Sequence, residues 1–164
     1  MSKQVVLAAA LAAALTSAVV AATAEARSAS TATAASKTYV LKATLNAKHA
    51  VPAPRGARAA KGVFTAKLTV AGKKSSLVWQ LRFSHLTGTA VSAHVHYGAA
   101  GKVGPIALPL CRRCKASAHG AYTGPYVATS GFLKAFLHGK TYADIHTKKN
   151  PKGEIRGQVK VTSA

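Results

Sequence analysis

Two histidines in the middle of the chain have a spacing that suits metal binding. His94 and His96 lie two positions apart in the alternating segment 91–97, and successive side chains of a strand point to opposite faces. Both imidazoles therefore share one face, while Ala93 and Val95 share the other. Because imidazole nitrogens bind copper and zinc at about 2 Å, this pair is a candidate metal site.

A second alternating segment, residues 142–147, supplies a further histidine. Here Asp144 and His146 are predicted to point outward, while the residues between them face the core. If the two strands are neighbours, His146 joins His94 and His96 in a site with three nitrogen ligands. Asp144 is then expected to orient an imidazole from outside the ligand set. The alternative interpretation is that the histidines hydrogen-bond turn backbones and hold loops against the sheet.

The only two cysteines form the motif Cys111-Arg-Arg-Cys114. In an exported protein, such a pair is expected to form a disulfide that closes a tight loop. Capture of a soft metal and redox exchange are the alternatives, and the adjacent arginines favour redox exchange electrostatically. A single C-x-x-C without a second pair is a poor zinc site.

The small number of carboxylates limits the enzyme classes. The chain has three acidic residues, and beyond the N-terminal segment only Asp144 and Glu154 remain. General acid–base chemistry needs a positioned pair, and each of these two is expected to neutralise a local cation. Neither a Gly-x-Ser-x-Gly motif nor a phosphate-binding loop occurs. A non-enzymatic protein is therefore expected.

The candidate residues must be positioned by short strands. Alternating segments with β-branched and aromatic residues predict strands at 39–45, 63–70, 77–83, 91–97 and 155–161, separated by Gly- and Pro-containing turns. One segment has helical spacing, with Phe132, Leu133, Phe136 and Leu137 preceded by Ser130 as a cap and followed by Gly139. Many short strands with frequent turns predict an all-β fold, a Greek-key sandwich or barrel with one short helix.

The N-terminus is typical of a secretory signal peptide. Lys3 precedes an Ala-rich apolar run over residues 5–22, and small residues follow at cleavage spacing. The alternative is a transmembrane anchor, but the run is weakly hydrophobic and is followed by Glu25. The prediction is a signal peptide at 1–26, a disordered leader at 27–37 and one domain at 38–164, without a transmembrane span after cleavage. Such a chain is secreted or associated with the cell envelope.

The charge of the chain is extreme. Lysine and arginine total 23 against three acids, a formal net charge of +20. Such a protein attracts polyanions, including teichoic acids, anionic lipid headgroups, acidic polysaccharide and extracellular DNA. No helix-turn-helix, aromatic stacking pattern or zinc-finger spacing accompanies the charge, so a specific nucleic-acid partner is not expected. A solvated cationic surface without a single partner is the alternative.

Several blocks together resemble the signature of the CHRD (chordin) domain family, an extracellular all-β module. These blocks are Ala93-His-Val-His-Tyr-Gly98, Gly101, Gly104-Pro105, Asp144-Ile-His-Thr147 and Asn150-Pro-Lys-Gly-Glu-Ile-Arg-Gly-Gln158. The resemblance covers residues 39–159. The chain departs from the common pattern by carrying Asp144 where the family often has Asn, and by being more basic. The resemblance implies a secreted binding or structural module and leaves its ligand open.

The family is similar, faintly, to Cu/Zn superoxide dismutases. This resemblance implies that His94, His96 and His146 correspond to copper ligands and Arg156 to the arginine over the metal. The histidines that complete a zinc site have no counterpart, so any copper site is expected to be mononuclear. For Arg156, an ion pair with Asp144 or Glu154 is the alternative. The protein is therefore expected to act as a cationic extracellular binding or structural module. The alternative is a copper-binding protein, which could also have superoxide dismutase-like activity.

Overall fold

Nine β-strands and one α-helix make up most of residues 35–124 and 131–164, the part of the chain that this computed structural model describes. In chain order they are β1 Ser36–Asn46, β2 Lys61–Ala71, β3 Lys74–Ser84, β4 Ala90–Tyr97, β5 Ile106–Arg112, β6 Ser117–Gly124, α1 Gly131–Leu137, β7 Thr141–Thr147, β8 Ile155–Gln158 and β9 Lys160–Ser163. The described part contains no helix long and apolar enough to span a bilayer.

The strands form a nearly closed barrel with Greek-key connectivity. The hydrogen-bonded order is β5-β4-β7-β8-β1-β2-β3-β6, and β9 pairs with β1. The end strands β5 and β6 contact each other, so four consecutive strands lie in the order β7-β4-β5-β6. This is a Greek key, in which the fourth strand returns to lie beside the first. The predicted all-β Greek-key architecture is confirmed.

The core fills the inside of the barrel because apolar residues alternate with polar ones. In β1 and β3, Leu41, Leu45, Leu77 and Leu81 are all 0 % exposed, and the two leucines of each strand are four positions apart. Ala43 and Trp79, midway between them, are also buried, whereas the side chains at the alternate positions point to the outer face. Period-two alternation therefore sets which face of each strand is buried.

The predicted helix is present and contributes to the core. Helix α1 places Phe132 and Phe136, one turn apart, against the barrel interior, where both are fully buried. Gly139 follows with φ of 65°, a left-handed conformation that favours glycine after a helix. The predicted cap, Ser130, lies outside the described residues, as do the predicted signal peptide and residues 27–34 of the leader. Strand β1 begins at Ser36, within the last residues of the predicted leader.

Strands β5 and β6 were not predicted from the sequence, and the strand predicted at 155–161 is longer than either strand found there. Strand β5 contains Pro109, and β6 is rich in small residues around Gly120, so neither has the β-branched alternation that indicates a strand. Gly120 lies directly against the indole of Trp79, where a larger side chain would not fit. The predicted strand at 155–161 is divided at Val159 into β8 and β9.

Candidate functional site

Neighbouring strands β4 and β7 bring the predicted histidines together. In their antiparallel register, His94 is opposite Asp144 and Ser92 is opposite His146. Directly opposed residues share a face, so all these side chains lie on the outside of the barrel. One ligand atom from each of His94, His96, Asp144 and His146 lies within 4.8 Å of the others.

The spacing of the ligand atoms suits a single metal ion. His94 Nδ1 is 3.2 Å from His146 Nε2, and Asp144 Oδ1 is 3.2 Å from His146 Nε2 and 3.3 Å from His96 Nε2. Metal–ligand bonds of about 2.0–2.1 Å place the ligand atoms of a tetrahedral site about 3.3–3.4 Å apart. These three distances match a site with three nitrogens and one oxygen, and the other ligand atoms, all within 4.8 Å of one another, would have to move closer together.

Backbone carbonyls fix the orientation of two of the imidazoles. His96 Nδ1 lies 2.9 Å from Gly104 O, and His146 Nδ1 lies 3.0 Å from Pro151 O. A carbonyl only accepts hydrogen bonds, so each Nδ1 carries a proton, and in the neutral imidazole each Nε2 presents a lone pair. Histidines that bind metals characteristically donate their other N–H in this way.

The Nε2 lone pairs and the Asp144 carboxylate oppose one another. His96 Nε2 is buried and makes no hydrogen bond of acceptable geometry, although Asp144 Oδ1 is close to it. Three electron-pair donors in one buried place repel each other unless a proton or a metal ion lies between them. The donor set thus matches what a cation requires.

The pKa values of the cluster indicate where a proton would lie. Burial alone would raise the pKa of Asp144, but His146 and His96 outweigh it when they are protonated on Nε2, because each then donates toward the carboxylate, and the pKa is lowered. Burial would likewise lower the pKa of His146, but its hydrogen bond to Asp144 raises the pKa above 6.5. For His94, burial and the nearby His146 both lower the pKa. The cluster therefore holds an anionic Asp144 and a neutral His94.

Asp144 and Arg156 were expected to lie outside the ligand set. The structure places Asp144 within the group of candidate ligand residues, with one of its oxygens within 4.8 Å of the ligand atoms of the three histidines. Arg156 is 3 % exposed, and its Nη2 donates to Ala99 O at 2.9 Å and Lys102 O at 2.8 Å. Instead of an ion pair with Asp144 or Glu154, the guanidinium thus holds the loop between β4 and β5 over the outer face.

Tyr142 links the arginine to the histidines and was missed as a site residue. Its ring stacks on His96 with 5.0 Å between centroids, and Arg156 Cζ lies over the same ring, 3.4 Å from its centroid. A cavity of about 50 Å³ adjoins these groups, Asp144 and His146, which is room for at least one water molecule. Because Tyr142 shares the period-two face of Asp144 and His146, alternation alone was a usable signal.

A second buried carboxylate supports the site from the β7–β8 turn. Glu154 accepts hydrogen bonds from Thr87 N and Oγ1, Thr147 Oγ1 and Asn150 Nδ2. Burial would raise the pKa of Glu154, but these hydrogen bonds outweigh it and lower the pKa. Its partners are neutral, not the local cation that was expected. The turn they hold carries Pro151 O, the acceptor for His146.

The two cysteines lie at the seam between β5 and β6. Cys111 and Cys114 are joined by a disulfide, with their Cα atoms 5.5 Å apart, as the disulfide interpretation predicts. Cys111 is opposite Ala93 on β4, next to His94, yet neither sulfur belongs to the ligand group. The bridge therefore closes the connection between the two end strands of the sheet.

Comparison with known proteins places the chain in a family. Comparisons with curated proteins and with solved structures found no match. The CHRD domain family model matches residues 41–159, which include β4, β7 and the whole ligand group. CHRD domains are typically extracellular modules. With the match spanning most of the chain and the Greek-key barrel in agreement, this chain belongs to the CHRD domain family.

Proposed function

We propose that this protein is an extracellular copper-binding module. The observation that carries the proposal is the convergence of His94, His96, Asp144 and His146, with one ligand atom of each within 4.8 Å of the others. Imidazole and carboxylate suit Cu²⁺ and Zn²⁺, and divalent copper binds such a set more tightly than zinc does. A bound ion would neutralise Asp144 and use the lone pair of His96 Nε2, which has no hydrogen-bond donor among the described residues.

The chain's own residues would prepare the site before the metal binds. Gly104 O and Pro151 O hold two imidazoles in the tautomer that binds through Nε2. Tyr142 fixes the plane of His96 by stacking. Burial keeps His94 neutral and able to donate electrons, because it lowers the pKa of that imidazole. Preorganisation of this kind reduces the entropy lost on binding.

Metal analysis tests the proposal directly. Residues 27–164 without a histidine tag are incubated with copper and zinc, desalted and analysed for metal. About one copper per chain is expected, and the His94→Ala/His96→Ala variant should lose it. The matched control is His119→Ala/His138→Ala, which also removes two imidazoles but leaves the ligand group intact. If the wild-type chain retains no copper, the metal site is wrong and the histidines only hold loops in place.

A second function, binding to anionic polymers of the envelope or matrix after secretion, has separate support. Every described lysine and arginine except Arg156 is exposed, while Asp144 and Glu154 are both buried. The described side chains therefore offer no exposed carboxylate as an internal counter-ion. Binding of the chain to an immobilised polyanion should fall steeply between low and high salt. Binding that does not change with salt would contradict this function.

A further inference from the structure

A groove on the outside of the barrel gathers several cationic side chains around one concave surface. It lies beside β1, β8 and β9, with a volume of about 600 Å³, and its lining includes Lys42, Lys48, His49 and Lys160. These four side chains are all exposed, and none of the described residues that line the groove is acidic. The volume is typical of pockets that hold small ligands, about 300–1,000 Å³.

Two of the groove's lysines repel each other in the register of the sheet. Lys42 on β1 is directly opposite Lys160 on β9. Like charges directly opposite each other destabilise an antiparallel pair. Among the paired strands of the described residues, this is the one place where two cations face each other directly. An anion bound between the two ammonium groups would remove the repulsion.

The remainder of the lining suits a sugar better than other anionic ligands. Val51, Ala100 and the lysine stems give apolar surface, while the Thr44 hydroxyl and Gln158 Oε1 supply hydrogen-bonding groups. The described lining contains no Phe, Tyr or Trp, on whose rings the bases of single-stranded nucleic acid stack. Sugar rings with carboxylates combine apolar C–H faces, hydroxyls and negative charge, which matches all three kinds of lining.

We propose that this groove binds a short segment of an acidic polysaccharide, with carboxylates held between Lys42 and Lys160. The proposal rests on the second function proposed above and names its site and ligand class. Lys48 and His49, on the short 3-10 helix Ala47–His49, line the same groove and can approach the next charge along the polymer. The other exposed lysines then contribute long-range attraction rather than a defined site.

The test compares two pairs of lysines that carry the same charge. Binding of a short oligogalacturonate to residues 27–164 is measured for wild type, Lys42→Gln/Lys160→Gln and the control Lys67→Gln/Lys134→Gln. Both control lysines are exposed and lie outside the groove. We expect the groove pair to weaken binding by about tenfold or more and the control pair by less than about threefold. The methyl-esterified oligosaccharide should not bind.

The possible outcomes separate the groove from the general charge effect. Equal losses for both pairs would overturn the groove while leaving attraction to polyanions intact. If the protein binds none of oligogalacturonate, poly(glycerol phosphate) and single-stranded DNA, both the groove proposal and the proposed binding of anionic polymers are wrong. If either of the last two binds as tightly as the uronate and depends equally on Lys42 and Lys160, the sugar assignment is wrong.

A second variant guards against a folding artefact. Lys160→Glu places an opposite charge across from Lys42 and should therefore raise the thermal midpoint of the free protein. The same change should abolish oligogalacturonate binding, because the introduced carboxylate would form an ion pair with Lys42 and compete with the ligand. A stabilised variant that still binds like wild type would overturn the proposal.

Discussion

Two buried carboxylates have partners of opposite chemistry. Asp144 lies on β7 and faces the Nε2 atoms of His96 and His146, which present lone pairs while the imidazoles are neutral. Glu154 lies just before β8 and accepts hydrogen bonds from backbone and side-chain donors, among them Thr87 and Asn150. Both side chains are shielded from solvent, with Asp144 5 % and Glu154 0 % exposed.

The comparison shows that burial of a charge does not by itself indicate a functional site. Glu154 is satisfied by the fold, since every contact described for it is a hydrogen-bond donor. Asp144 is satisfied only when a proton or cation joins it to the imidazoles. The first arrangement stabilises the turn, whereas the second provides a place for an ion. The predictions below test this difference, beginning with the largest effect.

Replacing Glu154 by Gln should destabilise the protein by about 3 kcal/mol. The amide nitrogen of Gln would face donors at a position where Glu154 accepts from Thr87 and Asn150, leaving buried donors without acceptors. Urea unfolding of the metal-free protein measures the change. A loss below about 1 kcal/mol would mean that the turn does not depend on this carboxylate.

The effect of Glu154→Gln should also depend on pH. Because the pKa of Glu154 in the folded protein lies below its ordinary 4.5, its stabilisation is present above that value and is lost as pH falls through the folded pKa. The difference in unfolding free energy between wild type and Glu154→Gln should therefore be smaller at pH 3 than at pH 7. An equal difference at both pH values would contradict the cause given for the lowered pKa.

Replacing Asp144 by Asn should act mainly on the metal. Loss of the anionic ligand is expected to weaken copper binding by about ten- to a hundredfold, measured by competition with a chelator. The metal-free protein should lose less stability than Glu154→Gln, by about 1 kcal/mol, since the amide N–H₂ can donate to an imidazole Nε2. If the two variants destabilise the protein equally, the contrast between the carboxylates is lost.

Replacing Arg156 by Lys should have the smallest effect of the set. Lysine keeps the charge but cannot reproduce the planar donors that reach Ala99 O and Lys102 O while stacking on Tyr142. We expect a loss of about 1 kcal/mol or less, together with faster hydrogen exchange in the loop between β4 and β5. Unchanged exchange in that loop would show that other contacts hold it.

Much of the barrel was predictable because alternation is a local property. Segments 39–45, 63–70, 77–83 and 91–97 all lie within β1 to β4, and their inward faces form the core. Strands β5 and β6 have no such pattern, and pairing with β4 and β3 supplies their strand structure instead. Tertiary context thus overrides weak local preference there.

The sequence by itself determined the period of each strand, and with it which residues share a face. His94 with His96, and Asp144 with His146, follow from that period alone. Only the tertiary structure decided that β4 pairs with β7 in a register that brings the four side chains together. It also decided that loops cover the outer face, so that Asp144, Arg156 and Glu154 are buried rather than solvated. The reason is that alternation acts between adjacent residues, whereas register and coverage depend on contacts between segments far apart in the chain.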